Sequence, residues 1–481
     1  MSRSRHWSEE CGVVGIAGCV GAVELTSLAL HALQHRGQES AGISVSDGHT
    51  LATKKGMGLV ADVFDETTIR NLAGTSAIGH VRYSTTGTSH FKNAQPIQVS
   101  SHRGSMALAH NGNLINAAAL RRKMEQEGSI FGTTSDSEVI LHLVARSQVE
   151  EVEDALAEAL PQVKGAFSLV VLTRDKLVAA RDPHGFRPLC LGRYQNSYVV
   201  CSESCALDII GGTYLRDIEP GELVVLGQGE LSSRRIAPRG AEKRCIFEHV
   251  YFSRPDSIVF GQNVEKVRRR CGEILGREYP AAADLVCAVP DSSNTAALGY
   301  ARVTRIPFEL GLIRNHYVGR TFISPAQKVR DMSVRIKFNP VGEVLRDKRV
   351  VVVDDSIVRG TTMRKLVKLI RTAGAAEVHL RIASPPITNP CYYGIDTPVR
   401  KELIASSHTV EEIATYLRVD SLQYLSLAGL LEATGEVDRY CTACFTGNYP
   451  ISFEENFDKN IFDLQTETRE IPDPPLPRQR F

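Results

Sequence analysis

The sequence predicts two domains: an α+β body of packed sheets flanked by helices, then an α/β body built on a parallel sheet. Three observations carry this expectation. At 481 residues the chain exceeds what one hydrophobic core usually supports, so two domains, each able to bury an interior, are expected. The first half holds short β-like runs at 12–17, 105–109, 167–172 and 197–201, separated by turn-rich segments and a few amphipathic helices. The second half alternates strand and helix, the pattern of parallel strands joined by crossover helices.

In chain order, residues 136–146 place Val139, Ile140, Leu143 and Val144 at helical spacing, and Thr133, Thr134 and Ser135 are good capping residues. A helix is therefore expected to begin near Ser135. Residues 227–243 (GQGELSSRRIAPRGAEK) are polar, basic and glycine-containing, which suits an exposed connection, and the boundary is placed at 240/241. Beyond it come a strand at 285–289, a helix from Asn294, a strand at 349–353, a helix at 363–372 and a strand at 377–382. The chain turns polar past Cys444, and the segment 451–481 ends in IPDPPLPRQRF, a tail expected to wrap the surface or stay disordered. No internal repeat is apparent.

Composition narrows the function. Lysine plus arginine (56) nearly cancels aspartate plus glutamate (55), and a net charge of +1 gives no general attraction to nucleic acid or acidic membranes. Small molecules or other subunits are the expected partners. The opening MSRSRHWSEE lacks the apolar stretch of a signal peptide, and no apolar span is long enough for a bilayer, so a cytoplasmic protein is expected. Eleven scattered cysteines, an odd count, favour metal ligation or catalysis over structural disulfides.

Cys11 opens the small-residue strand CGVVGIAG directly after ten residues that add nothing to it. Removal of 1–10 as a propeptide would place an α-amine of pKa about 7.7–8.0 beside a thiol of about 8.5, so one residue supplies nucleophile and base. Alone, Cys11 reads equally as a buried strand cysteine. Arg82 in HVRYSTTG (80–87) has the planar fork that matches a carboxylate. Asn111 and Gly112 in LAHNGNL (108–114) offer an amide donor beside an unobstructed backbone N–H, suited to an oxyanion, or else a simple Asn-Gly turn. Asp136 in TTSDSEV (133–139) suits either a helix start or a substrate ammonium. Taken in order, CGVVGI, LQHRGQES, HVRYSTTG, AHNGNL and TSDSEV resemble the glutamine amidotransferase domain of the N-terminal-nucleophile class. The resemblance covers residues 11–240 and implies an αββα sandwich. It also implies Cys11 as nucleophile, Asn111 and Gly112 as oxyanion hole, and Arg36, Arg82 and Asp136 around glutamine.

Residues 349–362 read RVVVVDDSIVRGTT: an apolar strand, two acids at its end, then a hydroxyl- and glycine-bearing turn that opens a helix. Strand ends in parallel sheets face ligand clefts, adjacent carboxylates suit sugar hydroxyls and magnesium, and a helix N-terminus suits a phosphate. The stretch is similar to the phosphoribosylpyrophosphate motif of type I phosphoribosyltransferases. That similarity implies substrate contacts from Asp354, Asp355, Ser356, Arg359, Gly360, Thr361 and Thr362, and a Mg2+ site of Ser292, Asp354 and Asp355. It also makes 317–340 a mobile loop whose Arg335 and Lys337 cover the diphosphate.

Cys441 and Cys444 form a CxxC, half of a metal site. By sequence context Cys245 (KRCIFEHVYFSRPDS) and Cys391 (NPCYYGID) match the remaining ligands of a [4Fe–4S] cluster, with zinc as competitor. Nearly the whole chain resembles the amidophosphoribosyltransferase family in its iron-sulfur branch with a short propeptide. The resemblance implies a two-site enzyme of de novo purine synthesis that consumes glutamine and 5-phosphoribosyl 1-pyrophosphate, with Tyr251 and Phe252 near an internal ammonia route. Purine nucleotide inhibitors and a homotetramer are implied too, and domains at 11–240 and 241–450. The rivals are an amidotransferase with another acceptor, against which 349–362 argues, and a ligand-sensing regulatory protein on the phosphoribosyltransferase fold.

Overall fold

The computed structural model describes residues 11–83, 90–227, 230–238, 241–315, 336–397 and 399–452. The expected propeptide 1–10, most of the expected mobile loop 317–340 including Arg335, and the segment from 453 lie outside the described residues.

Thirteen strands build the first body: β1 Gly12–Ala17, β2 Ser40–Ser46, β3 Leu51–Met57, β4 Ser76–Arg82, β5 Ile97–Ser101, β6 Gly104–Leu114, β7 Gly165–Leu172, β8 Leu177–Arg181, β9 Cys190–Tyr194, β10 Ser197–Cys201, β11 Thr213–Asp217, β12 Glu222–Leu226 and β13 Leu231–Arg235. They form two antiparallel sheets, ordered β11-β9-β10-β1-β4-β2-β3 and β13-β12-β8-β7-β6-β5. Strand alternation sets the layers. Val13 and Ala17 of β1 meet Val170 and Leu172 of β7 in the core between the sheets. Val14 and Ile16 face outward onto Leu30 and Leu33. Phe167, Leu169 and Val171 face Val139, Ile140 and Leu156 of helices Glu138–Arg146 and Val152–Ala159 on the opposite side. The result is the expected helix–sheet–sheet–helix sandwich.

Two expectations are corrected here. The helix starts at Glu138 with Ser137 as N-cap, not near Ser135, because Glu138 itself takes the N–H groups of Gly132 and Thr133 at 2.7 Å and holds the preceding residues in a loop. The presumed exposed connection 227–243 contains β13, whose mostly exposed residues pair with β12 along the sheet edge.

The second body carries a four-stranded parallel sheet in sequential order, Leu285–Ala288, Arg349–Asp354, Glu377–Ile382 and Ser421–Tyr424. Helices Val264–Glu278 and Asn294–Thr304 cover one face through Val267, Leu275, Ala297 and Tyr300. Helices Thr361–Thr372 and Val410–Leu417 cover the other through Leu366, Ile370, Ile413 and Leu417. The phosphate-loop helix begins at Thr361, two residues before the expected 363. The bodies share a core, since Ile115, Ala166 and Phe186 of the first pack with the second and Phe186 stacks on Tyr393 at 4.3 Å. Among the described residues no helix is long and apolar enough to cross a membrane.

Candidate functional site

Cys11 directly precedes β1 and is 5% exposed, its Sγ 3.4 Å from the Tyr83 carbonyl oxygen. Burial pushes its thiol up to about 11 against the opposing pull of Arg82, so with a peptide nitrogen at position 11 it stays protonated at neutral pH. Arg82, on β4 and 3% exposed, stands 3.8 Å from Glu39. Asp136, 5% exposed, accepts the Leu114 N–H at 2.8 Å through Oδ2. Both Arg82 and Asp136 lie close enough to act electrostatically on the Cys11 sulfur.

Asn111 and Gly112 sit within β6, paired with Ser168 and Phe167, so the Asn-Gly turn is ruled out. The Asn111 side chain is 1% exposed, and among the described residues neither its Nδ2 nor its Oδ1 has a hydrogen-bond partner. A buried amide left unsatisfied is costly and characteristic of a ligand-binding donor. Gly112 has a φ of 153°, and a Cβ there would lie 2.0 Å from the Ala166 carbonyl oxygen, so no side chain fits between the strands. His110 is fixed beside them, Nδ1 2.9 Å from Ser137 Oγ, and burial lowers its pKa.

Arg36 lies next to Cys11 as expected, but its guanidinium is spent on protein rather than facing substrate. It is 1% exposed, its Nε donates to the Cys11 carbonyl at 3.1 Å, and its terminal nitrogens pair with Glu203 at 2.5 Å and Glu248 at 2.8 Å. Although burial raises Glu203, His35 and Arg36 hold it down to about 2.

In the second body, Asp354 and Asp355 stand at the carboxyl end of the central strand. Ser293 Oγ donates to Asp354 at 2.9 Å, while Ser292 and Ser356 donate to Asp355 at 2.5 Å each. Burial pushes both carboxyls upward, and Asp355 pushes Asp354 further. Two buried carboxylates that resist ionising together fit a divalent cation, which commonly takes one or two carboxylates and completes its shell with water and phosphate. The neighbouring Arg268 donates to the carbonyls of His249 and Ser253 at 2.7 and 2.8 Å. Gly360, at φ 71°, caps the helix that opens with Thr361 and Thr362. Arg359 differs from the expectation in being engaged by Glu402 at 2.9 Å. Lys337 is exposed, and its carbonyl takes the Asn315 N–H at 2.8 Å.

The four cysteines converge. Strand Arg244–Cys245 pairs in parallel with Tyr440–Cys441, setting Cys245 opposite Cys441. Cys444 and Cys391 join them in one core, and burial, then the other three thiols, push Cys444 well upward. Among the described residues, no three of His, Cys, Asp and Glu are gathered closely enough to hold a single metal ion.

Models of two protein families match the chain, a glutamine amidotransferase domain over residues 80–208 and a phosphoribosyl transferase domain over residues 261–384. A chloroplastic amidophosphoribosyltransferase of Arabidopsis thaliana is 54% identical over 451 residues, which cover 93% of this chain and 80% of that one. The chain belongs to the amidophosphoribosyltransferase family. Another member, from Archaeoglobus fulgidus, is 52% identical over 449 residues, covering 92% of this chain and 98% of its own. The glutamine phosphoribosylpyrophosphate amidotransferase of Bacillus subtilis, solved in complex with ADP and GMP, superimposes with a TM-score of 0.89 at 48% identity, covering 93% of this chain and 99% of that one. Like other amidophosphoribosyltransferases, the chain is a glutamine-dependent transferase with both halves in one polypeptide.

Sequence reading missed the charged side chains that hold this amidophosphoribosyltransferase site from behind. Glu203, Glu248 and Arg187 are each 0% exposed and ion-paired around Arg36 or one another. Ser293, the Asp354 partner, lay unremarked inside DSSN. A charged residue inside an apolar run, such as Glu248 in IFEHVYF, was the available signal. Tyr251 and Phe252 lie in the π-helix Glu248–Phe252 that carries it, their rings 5.4 Å apart.

Proposed function

We propose that the chain releases ammonia from glutamine at Cys11 and transfers it to 5-phosphoribosyl 1-pyrophosphate, giving 5-phosphoribosylamine, pyrophosphate and glutamate with one water consumed, the committed step of purine synthesis. The observation that carries this reading is the buried Asn111 amide, without a partner among the described residues, on the strand of the facing sheet that contacts β1, in the same chain as a phosphoribosyl carboxylate pair. Removal of 1–10 frees the Cys11 amine to take the thiol proton. Sγ then attacks the carboxamide carbon, Asn111 Nδ2 and the Gly112 N–H hold the oxyanion, and the proton leaves with ammonia. Water clears the thioester. Arg82 and Asp136 hold the glutamine carboxylate and ammonium, while Arg36 fixes the Cys11 backbone.

At the second site the turn 356–362 receives the 5-phosphate, and Asp354 and Asp355 meet the ribose hydroxyls. Bound Mg2+ would be held by Asp354, Asp355 and Ser292 and would neutralise charge on the departing pyrophosphate. Arg335 and Lys337 belong to the segment that covers the diphosphate. The phenyl and phenol rings at 251–252 line the ammonia route between the bodies, which divide at 240/241.

The same reading includes a [4Fe–4S] cluster on Cys245, Cys391, Cys441 and Cys444. Cys245 lies opposite Cys441, and Cys444 feels the other three thiols, which supports four thiolates as the donor set of such a cluster, with zinc as the competitor. Eleven cysteines, none of them in a disulfide, suit a reducing cytoplasm. Feedback by purine nucleotides and a homotetramer complete the proposal, the nucleotides because the Bacillus subtilis relative is complexed with ADP and GMP. Anaerobically purified protein given glutamine, 5-phosphoribosyl 1-pyrophosphate and Mg2+ is expected to release glutamate and pyrophosphate one for one. Ligand binding with no pyrophosphate would overturn the assignment, and colourless, iron-free, fully active protein would remove the cluster from it.

A further inference from the structure

The two halves of the glutaminase site, the nucleophile on β1 and the oxyanion strand β6, are each touched by the second body, and the contacts meet in one buried ion network. Residues 392–394, directly after Cys391, lie against β6. Asn113 Nδ2 donates to the Tyr392 carbonyl at 2.9 Å. A Cβ on Gly394 would fall 3.1 Å from Gly112 Cα and 3.2 Å from its carbonyl carbon, and Gly394 has a φ of 108°. Glycine is required there by close approach and by backbone conformation.

From this strap the connection runs to the nucleophile. Arg187 Nε donates to the Tyr393 carbonyl at 2.8 Å, and its guanidinium stands 3.3 Å from Glu248. Glu248 accepts from Arg36 at 2.8 and 3.0 Å, and Arg36 Nε reaches the Cys11 carbonyl at 3.1 Å. Arg36, Arg187, Glu203 and Glu248 form a set of two cations and two anions whose side chains are all 0% exposed. A buried set of this kind is held in one arrangement, because displacing a member leaves an uncompensated charge away from water.

Resting on the function proposed above, we infer that the strap 392–394 and Glu248 form a positioning element for glutamine hydrolysis. They fix the oxyanion strand relative to the nucleophile, so that amide cleavage is competent only while the second body is docked. Oxyanion donors act over a narrow range of distance, and a shift of about 1 Å is enough to lose much of their effect. The arrangement ties ammonia release to the presence of the body that uses it.

The test uses the full chain with Gly394→Ala and Asn113→Ala, glutamine or ammonium as nitrogen source, and alkylation of Cys11 by iodoacetamide, which needs the thiol but no oxyanion hole. Gly394→Ala is expected to lower kcat with glutamine at least about tenfold, leaving KM, ammonium-dependent turnover and alkylation close to wild type. Asn113→Ala should show the same split at about threefold, the scale of one hydrogen bond. Unchanged kcat with glutamine in Gly394→Ala overturns the inference. So does parallel loss of both activities in both variants, because the strap then supports the fold at large. A wild-type chain that releases pyrophosphate with neither nitrogen source would overturn the function itself.

Discussion

The glutaminase site draws Cys11, Arg82, Asn111 and Asp136 from four separated segments, whereas the phosphoribosyl site takes most of its groups from the fourteen residues 349–362. The first is made by packing: strands β1 and β6 lie in facing sheets, and the buried Asn111 amide finds no partner among the described residues. The second is made locally, by a strand end, a turn and a helix start whose conformations follow from their own residues. Distant substitutions should therefore disturb the first site more than the second, and the two activities should separate under mutation.

Cys11→Ser separates them furthest. Turnover with glutamine is expected to fall by at least about a thousandfold, since an alcohol replaces the nucleophile, while turnover with ammonium persists at the other body. Equal loss with both nitrogen sources would mean that the two sites do not divide the chemistry as their construction implies. Asn111→Ala should cost about 10²–10³ in kcat with glutamine, the usual effect of one oxyanion donor, with KM altered much less. A variant whose KM rises while kcat holds would show instead that the amide binds ground-state substrate, and the packing-made site would lose its catalytic donor.

The difference in construction also explains what the sequence disclosed. Residues 349–362 could be read as strand, carboxylates, turn and helix because every step is local, and the element bounds shifted only slightly, with the strand ending at Asp354 and the helix starting two residues early at Thr361. Packed sheets were legible from the short β-like runs at 12–17 and 167–172 and the sandwich from the family resemblance, while the separation of inward and outward residues into different cores appears only in the structure. Asn111 and Gly112 were flagged, yet the same dipeptide signals a turn, and only the pairing of β6 with β7 shows that it lies mid-strand. The ion pairs of Arg36 were not legible, because its partners Glu203 and Glu248 stand 167 and 212 residues away. Local sequence carries no record of such partners.

The smallest expected effect is on stability, and it sharpens the contrast from the side of the local site. Burial raises Asp355 and, with help from Asp355, Asp354, so in the folded chain both bind protons more tightly than an unfolded aspartate near 3.9. Between that value and the raised folded values the native state holds more protons than the unfolded one, so stability falls as pH rises through this window. Asp354→Asn removes one of the two opposed charges, and without Mg2+ it should raise Tm by about 2–4 °C for each kcal/mol relieved in a domain of about 200 residues. Mg2+ should raise the wild-type Tm and leave the variant's nearly unmoved, since the cation relieves the same repulsion. Calorimetry at pH 5 and pH 7.5 measures this directly: the gap between variant and wild type should widen at the higher pH. A variant less stable than wild type at both would show that the Ser293–Asp354 hydrogen bond outweighs the carboxylate repulsion, and that the phosphoribosyl site too is held by packing.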